Sequence, residues 1–201
     1  MKNLHNNYSQ KKIAIKQRLD QFKSLPEEKY LDELIFCTLT PQSQAKKCWQ
    51  AVLELKHIIN KNPSKNNISS ILKTKTRFHN NKAKYIMKNL QNWNTIKNEI
   101  SNSDIPALRN WLNENVYGYG LKEASHFLRN IGKSNNKIAI LDRHILKNLK
   151  ELGIIESDKI KNNKNYLEIE KRFIDFSNKI EIPIDHLDLL FWSNENGEIF
   201  K

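Results

Sequence analysis

The chain has 201 residues and a net charge of +12, from 34 Lys and Arg against 22 Asp and Glu. This length suffices for a substantial core, either one large helical domain or two small ones, and the charge favours a polyanionic partner through counterion release, although basic composition alone does not identify nucleic acid. The two cysteines, Cys37 and Cys48, sit in apolar helix-like stretches and argue against a disulfide framework and for a reducing compartment. Residues 1–12 are mostly polar, and no run approaches the roughly 18 apolar residues of a membrane span, so the expectation is a cytoplasmic protein without membrane association.

With five Gly and five Pro and much apolar spacing of helical period, the chain reads as all-α. Helices are predicted from about Lys11 to Lys23 and from Glu27 to Leu39, the second with Leu31, Leu34, Ile35 and Leu39 on one face, ended by Pro41. A third runs from Ser43 to about Asn60 with Ala45, Cys48, Trp49, Val52, Leu53 and Ile59 as its apolar side, and Pro63 closes it. Helical signal returns over Ile68–Leu72, Lys82–Leu90 and Ile105–Asn115, where Asp104 is a candidate N-cap and Pro106 falls in the first turn. Tyr166–Ile180 and Pro183–Trp192 read as two more helices, followed by a short polar tail. No repeat or low-complexity linker marks a domain boundary.

The most informative stretch is Val116 to Gly153. Val116-Tyr-Gly-Tyr-Gly-Leu-Lys122 continues into Glu-Ala-Ser-His-Phe-Leu-Arg-Asn-Ile-Gly132, so a helix stops at a Gly-x-Gly turn and another begins at once. This is a helix-hairpin-helix pattern at about residues 116–132. Gly118 and Gly120 can adopt positive φ and lack side chains, which suits a turn presenting backbone N–H groups to a phosphate; an ordinary helix connection is the plainer reading. Lys122 falls in the first turn of the second helix, where the dipole disfavours a cation and so assists a nucleophilic amine, whereas a solvated surface lysine is the default for the residue type. Twenty residues on, Ala139-Ile-Leu-Asp142 brings an acid to the start of another helix, where it would serve as an N-cap and remain available as a carboxylate.

Gly-x-Gly, then x-Lys, then an Asp about twenty residues later before a helix resembles the helix-hairpin-helix DNA glycosylase superfamily. More narrowly, the chain is similar to the archaeal-type 8-oxoguanine DNA glycosylase/AP lyase family from about residue 10 onward. The resemblance rests on Glu33-Leu-Ile-Phe-Cys-Thr-Leu-Thr-Pro-Gln-Ser-Gln-Ala-Lys-Lys47, Arg77-Phe-His-Asn-Asn-Lys-Ala83, Gly120-Leu-Lys-Glu-Ala-Ser-His-Phe127 and Leu141-Asp-Arg-His-Ile145.

The resemblance implies two helical subdomains flanking a cleft for DNA and for a base turned out of the duplex. Lys122 would then be the nucleophile that forms a Schiff base, and Asp142 the carboxylate that stabilises positive charge on the sugar. Gln42 matches the position that fills the gap left by the flipped nucleotide, with an exposed or capping glutamine as the alternative. Arg77 and Phe78 match positions near the DNA and the base pocket, and Phe78 reads equally as a core residue. Trp192 and Lys201 resemble the C-terminal residues that line the base pocket, with a docking aromatic as the alternative for Trp192. Gly118 and Gly120 would carry the DNA-contacting hairpin. The partner implied is double-stranded DNA containing oxidised guanine, met by a monomer, with no metal or organic cofactor.

His126 and His144 lie on separate helices with no third ligand at a usual spacing and read as structural. No cysteine lies beyond Cys48, so the four-cysteine iron–sulfur cluster of some superfamily members is excluded and the oxidised-purine branch is favoured. Two other readings stay open: a glycosylase/lyase for oxidised pyrimidines, which needs the same lysine and aspartate, and a DNA-binding module without chemistry, to which neither would matter.

Overall fold

The computed structural model describes residues 2–101 and 104–201. Helices occupy Lys2–Lys23 (α1), Tyr30–Leu39 (α2), Ala45–Ile59 (α3), Lys65–Leu72 (α4), His79–Gln91 (α5), Trp93–Glu99 (α6), Ile105–Asn115 (α7), Leu121–Asn130 (α8), Arg143–Glu151 (α9), Asn163–Lys179 (α10) and Ile184–Asn196 (α11), with a 3₁₀ turn at Glu27–Lys29. The fold is all-helical, as composition and periodicity predict. No helix among the described residues is long and apolar enough to cross a membrane. The chain divides into two units, one made of the segment up to Leu25 plus Leu128–Lys201, the other of Pro26–Phe127; the division falls inside α8.

In the Pro26–Phe127 unit, α2 is the central helix. Leu34, Phe36, Cys37 and Leu39 are fully buried, and even Asp32 and Glu33 are covered. A helix apolar around most of its circumference belongs in the middle of a bundle, and each large side chain removed from water contributes about 1.5–3 kcal/mol. Asp32 reaches Lys56 of α3 at 2.7 Å. The buried face of α3 is Cys48, Ala51, Val52 and Leu55; Leu53 is 44% exposed, so the predicted apolar side is displaced by part of a turn. The displacement arises because the basic residues flanking the stripe are indifferent to rotation, and packing against α2 selects the face. Helix α4 starts with a capping box in which Ser64 Oγ accepts from the Asn67 N–H and Asn67 Oδ1 accepts from the Ser64 N–H. Helix α6 has no counterpart in the sequence reading, because its seven residues contain one buried apolar position, Ile96.

In the other unit, α11 packs on α1, α9 and α10. Phe173 and Phe191 stack with centroids 6.1 Å apart. Tyr8 Oη and His186 Nδ1 lie 2.9 Å apart, and Lys11 Nζ donates to Ser193 Oγ at 3.0 Å. Asn7, ahead of the predicted start near Lys11, also donates to Asn194 Oδ1 at 2.9 Å, so helix N-terminal to Lys11 has partners on α11 that local periodicity cannot reveal. Gly132 ends α8 with φ +71, and a Cβ there would stand 2.4 Å from the Cα of Lys23, so only glycine permits this approach of α1.

Arg129, at the end of α8, meets Asp188 of α11 at 3.3 Å through Nη2, while its buried Nε and Nη1 have no hydrogen-bond partner among the described residues. With so partial a pairing, burial lifts the Asp188 carboxyl to about 7, reinforced by the charges of Asp142 and Asp185 and only partly opposed by Arg129. The folded chain therefore binds a proton more tightly than the unfolded one, and this group's stabilisation, full below pH 4, fades as pH rises to about 7. An Asp188→Asn variant should gain stability relative to the parent between pH 5 and pH 8, by a few kcal/mol, in paired urea titrations at the two pH values.

Candidate active site

Helix α7 ends at Asn115, and Val116 N–H still donates to Leu112 O at 3.0 Å. Asp104 precedes α7 as predicted, but no side-chain hydrogen bond closes that cap. The hairpin is clamped from two sides. Asn89 of α5, fully buried, accepts from the Tyr117 N–H at 2.8 Å and donates to Tyr117 O at 3.0 Å. Tyr119 donates its hydroxyl to Leu34 O of α2 at 3.0 Å.

The two hairpin glycines differ. Gly118 has φ +85, and a Cβ there would stand 2.6 Å from Cδ2 of Tyr85. Gly120 does not adopt positive φ; it is the residue before α8, and its N–H donates to Glu123 Oε2 at 3.1 Å. The expectation of positive φ at both positions is thus corrected, because a capped helix start needs an extended or bridging residue rather than a left-handed one. That N–H is thus committed within the chain. Gly118→Ala should cost about 1–3 kcal/mol, read by thermal unfolding, since it adds left-handed strain to the clash. Pairing it with Tyr85→Ala should relieve the clash and leave the strain.

Lys122 is the second residue of α8, and its Nζ lies 2.7 Å from Glu123 Oε1. One carboxylate therefore caps the helix through Oε2 and holds the lysine amine through Oε1. The Gly-x-x-Glu spacing was the available signal for Glu123.

Two exposed turns of the same unit carry Gln42 and the pair Arg77–Phe78. Gln42 has φ +53 and Phe78 has φ +58, conformations that non-glycine residues adopt at a cost. Phe78 is 53% exposed, which removes the core reading, and the Arg77 guanidinium sits 5.3 Å from its ring centroid. Between the turns is Lys82 of α5, 4% exposed, whose Nζ donates to Leu39 O at 2.7 Å, Pro41 O at 2.8 Å and Ser43 Oγ at 2.9 Å. Ser43 Oγ also accepts from the Arg77 N–H at 3.0 Å. Burial pushes the Lys82 ammonium down to about 8, with the charges of Lys122 and Arg77 acting the same way and those of Cys48 and Glu123 against. Neither Lys82 nor Asn89 was singled out from the sequence. Their signal is that two polar side chains, seven apart, fall on the buried face of α5.

Asp142 belongs to the other unit. It caps α9, its Oδ1 accepting from the His144 N–H at 2.8 Å and the Ile145 N–H at 2.9 Å. The approach to it is held by α10: Glu170 accepts from the Ala139 N–H at 2.7 Å, and Tyr166 donates to Ala139 O at 2.7 Å while accepting from the Leu141 N–H at 3.2 Å. A cap that uses one oxygen leaves Oδ2 for other work. Trp192 on α11 meets Phe200 of the tail with centroids 6.4 Å apart, Gly197 at φ +78 having turned the chain back. Lys201 is half-buried at its end. His126 packs edge-on to Phe36 at 5.6 Å, and His144 lies 3.8 Å from Glu195, consistent with structural roles. Cys37 and Cys48 are buried, and neither forms a disulfide among the described residues.

Comparison with known proteins gives a consistent picture. The 8-oxoguanine DNA glycosylase family matches residues 15–182. The chain is 41% identical to an 8-oxoguanine DNA glycosylase/AP lyase of Fusobacterium nucleatum, an alignment covering 96% of this chain and 94% of that protein. The crystal structure of the Methanocaldococcus jannaschii 8-oxoguanine DNA glycosylase superposes with a TM-score of 0.88 at 31% identity, covering 100% of this chain and 95% of that one. The same organism's glycosylase/lyase in complex with a 15mer DNA containing 8-oxoguanine superposes with a TM-score of 0.86 at 30% identity, covering 100% of both chains.

Proposed function

Because the chain belongs to the 8-oxoguanine DNA glycosylase family, we propose that it excises 8-oxoguanine from duplex DNA and cuts the strand at the resulting abasic site, with Lys122 as nucleophile and Asp142 as its charge-stabilising carboxylate. The observation that carries the residue assignment is Lys122 in the first turn of the helix that leaves the hairpin, its amine against a carboxylate.

Attack needs the neutral amine, and Glu123 Oε1, 2.7 Å from Nζ, is the base within reach of its proton. The amine bonds to the anomeric carbon as the glycosidic bond breaks, its electron pair leaving with the base, which is then protonated. Positive charge builds on the sugar in this step, and the Asp142 carboxylate stabilises it. Ring opening gives an iminium on Lys122. Loss of a proton from the adjacent sugar carbon then expels the 3′ phosphate by β-elimination, and hydrolysis of the imine frees the lysine. Gln42 fills the space vacated by the flipped nucleotide. Arg77 steadies the backbone, Phe78 and Trp192 stack against the base, and Lys201 completes its surroundings. The enzyme acts as a monomer, since a single chain supplies every group named; the buried cysteines, neither of them in a disulfide, agree with a reducing cytoplasm.

The test is borohydride trapping on a duplex bearing one 8-oxoguanine, in parallel with a thymine-glycol duplex and a Lys122→Gln variant. A covalent adduct on the 8-oxoguanine duplex that the variant fails to form is the expected result. Trapping on thymine glycol alone moves the chain to the pyrimidine branch, and no adduct on either duplex ends the lyase proposal.

A further inference from the structure

We propose that Lys82 is a positioning residue for lesion excision: its ammonium ties the Thr40–Gln44 turn to the Arg77–Phe78 turn and so holds Gln42 and Phe78 in the left-handed conformations in which they meet DNA. The inference rests on the proposed roles of those two residues in excision.

The geometry is specific. An ammonium has three donors, and each is used, on Leu39 O, Pro41 O and Ser43 Oγ. Ser43 Oγ is the shared node: it accepts from Lys82 and from the Arg77 N–H, and donates to Pro41 O at 3.3 Å. Gln42 lies between Pro41 and Ser43, both held by Lys82, and Phe78 directly follows Arg77, which Ser43 holds. Left-handed residues persist only where the surroundings over-determine them. A neutral apolar side chain at 82 would leave the carbonyls of Leu39 and Pro41 and the Ser43 hydroxyl without their common donor. Both turns would then relax toward ordinary backbone. Lys82 also lies within electrostatic reach of Lys122, Glu123, Arg77 and Cys48. Any test must therefore separate positioning of the turns from a direct effect on the nucleophile.

Lys82→Met keeps the length of the side chain and removes the charge. Single-turnover excision of 8-oxoguanine should fall about 10- to 100-fold, the scale of a misplacement of an ångström or so. Borohydride trapping at a pre-formed abasic site, which uses Lys122 and Gln42 but has no base for Phe78 to hold, should fall at least about threefold less than excision does, whereas an effect through the nucleophile would lower both readouts equally. In a Gln42→Ala/Phe78→Ala background, adding Lys82→Met should change excision by less than about threefold, because the groups it positions are already gone. Equal losses in both backgrounds, equal losses of trapping and excision, or unchanged excision would each overturn the proposal. If Lys82→Met does not fold, as urea unfolding would report, Ser43→Ala cuts the same network at an exposed turn. It should lower excision about 3- to 10-fold with trapping lowered less, and an unchanged rate would count against the proposal. A parent enzyme that forms no adduct on either DNA defeats the functional reading; an active parent with indifferent Lys82 and Ser43 variants defeats only this inference.

Discussion

Replacing Lys122 with arginine is expected to leave DNA binding close to that of the parent while eliminating the borohydride-trapped adduct and lowering 8-oxoguanine excision by at least about 10³-fold, or about 4 kcal/mol of barrier. Arginine preserves the positive charge and the helix position but cannot deprotonate, so it separates the charge from the lone pair that the proposed attack needs. Glutamine at 122 removes both and should lose the adduct with some loss of affinity. Neither change should alter stability by more than about 0.5 kcal/mol, because Lys122 is partly exposed and Glu123 keeps its bond to the Gly120 N–H. Electrophoretic binding assays and single-turnover excision measured on the same preparations provide the check. Adduct formation by the arginine variant would show that another amine is the nucleophile.

Substitutions at Asp142 should separate its cap of α9 from its proposed catalytic charge. Its cap of α9 uses one carboxylate oxygen on two N–H groups, and asparagine caps helices as well as aspartate does. Asp142→Asn should therefore unfold within a few tenths of a kcal/mol of the parent and lose about 10²- to 10³-fold in excision, the usual cost of removing one electrostatic stabiliser of a developing charge. Asp142→Ala should lose activity to the same degree and about 1 kcal/mol of stability as well. Denaturant melts alongside single-turnover rates distinguish the cases. If asparagine were as destabilising as alanine, or as active as aspartate, the assignment of a catalytic charge distinct from the cap would fail.

The features legible in the sequence are those written in neighbouring residues. A Gly-x-Gly stop, a lysine two residues later and an aspartate at a helix start are local backbone chemistry, and Gly118 and the Asp142 cap take the forms that chemistry requires. Helix α7 spans Ile105–Asn115 as read, because proline in its first turn marks one end and the hairpin the other. Gly120 was misread because the residue before a helix and the residue inside a left-handed turn both tolerate glycine, and only the bond from its N–H to Glu123 tells them apart.

The groups that hold the proposed site residues in place were not legible. Lys82, Asn89, Tyr166 and Glu170 find their partners 25 to 43 residues away. In the sequence they are ordinary polar residues on helices of mixed character. Their importance arises from burial, which makes every donor and acceptor costly unless it is paired.

By itself the sequence determined an all-helical chain, a basic surface, the hairpin, and the lysine and aspartate at two helix starts, since helix periodicity, caps and turns are properties of a few consecutive residues. Only the tertiary structure decided which face of α3 is buried, that α1 begins at Lys2, and that Gln42 and Phe78 stand exposed in left-handed turns. Each of those outcomes costs free energy locally or is neutral locally, and is selected by partners that the chain brings together only when it folds.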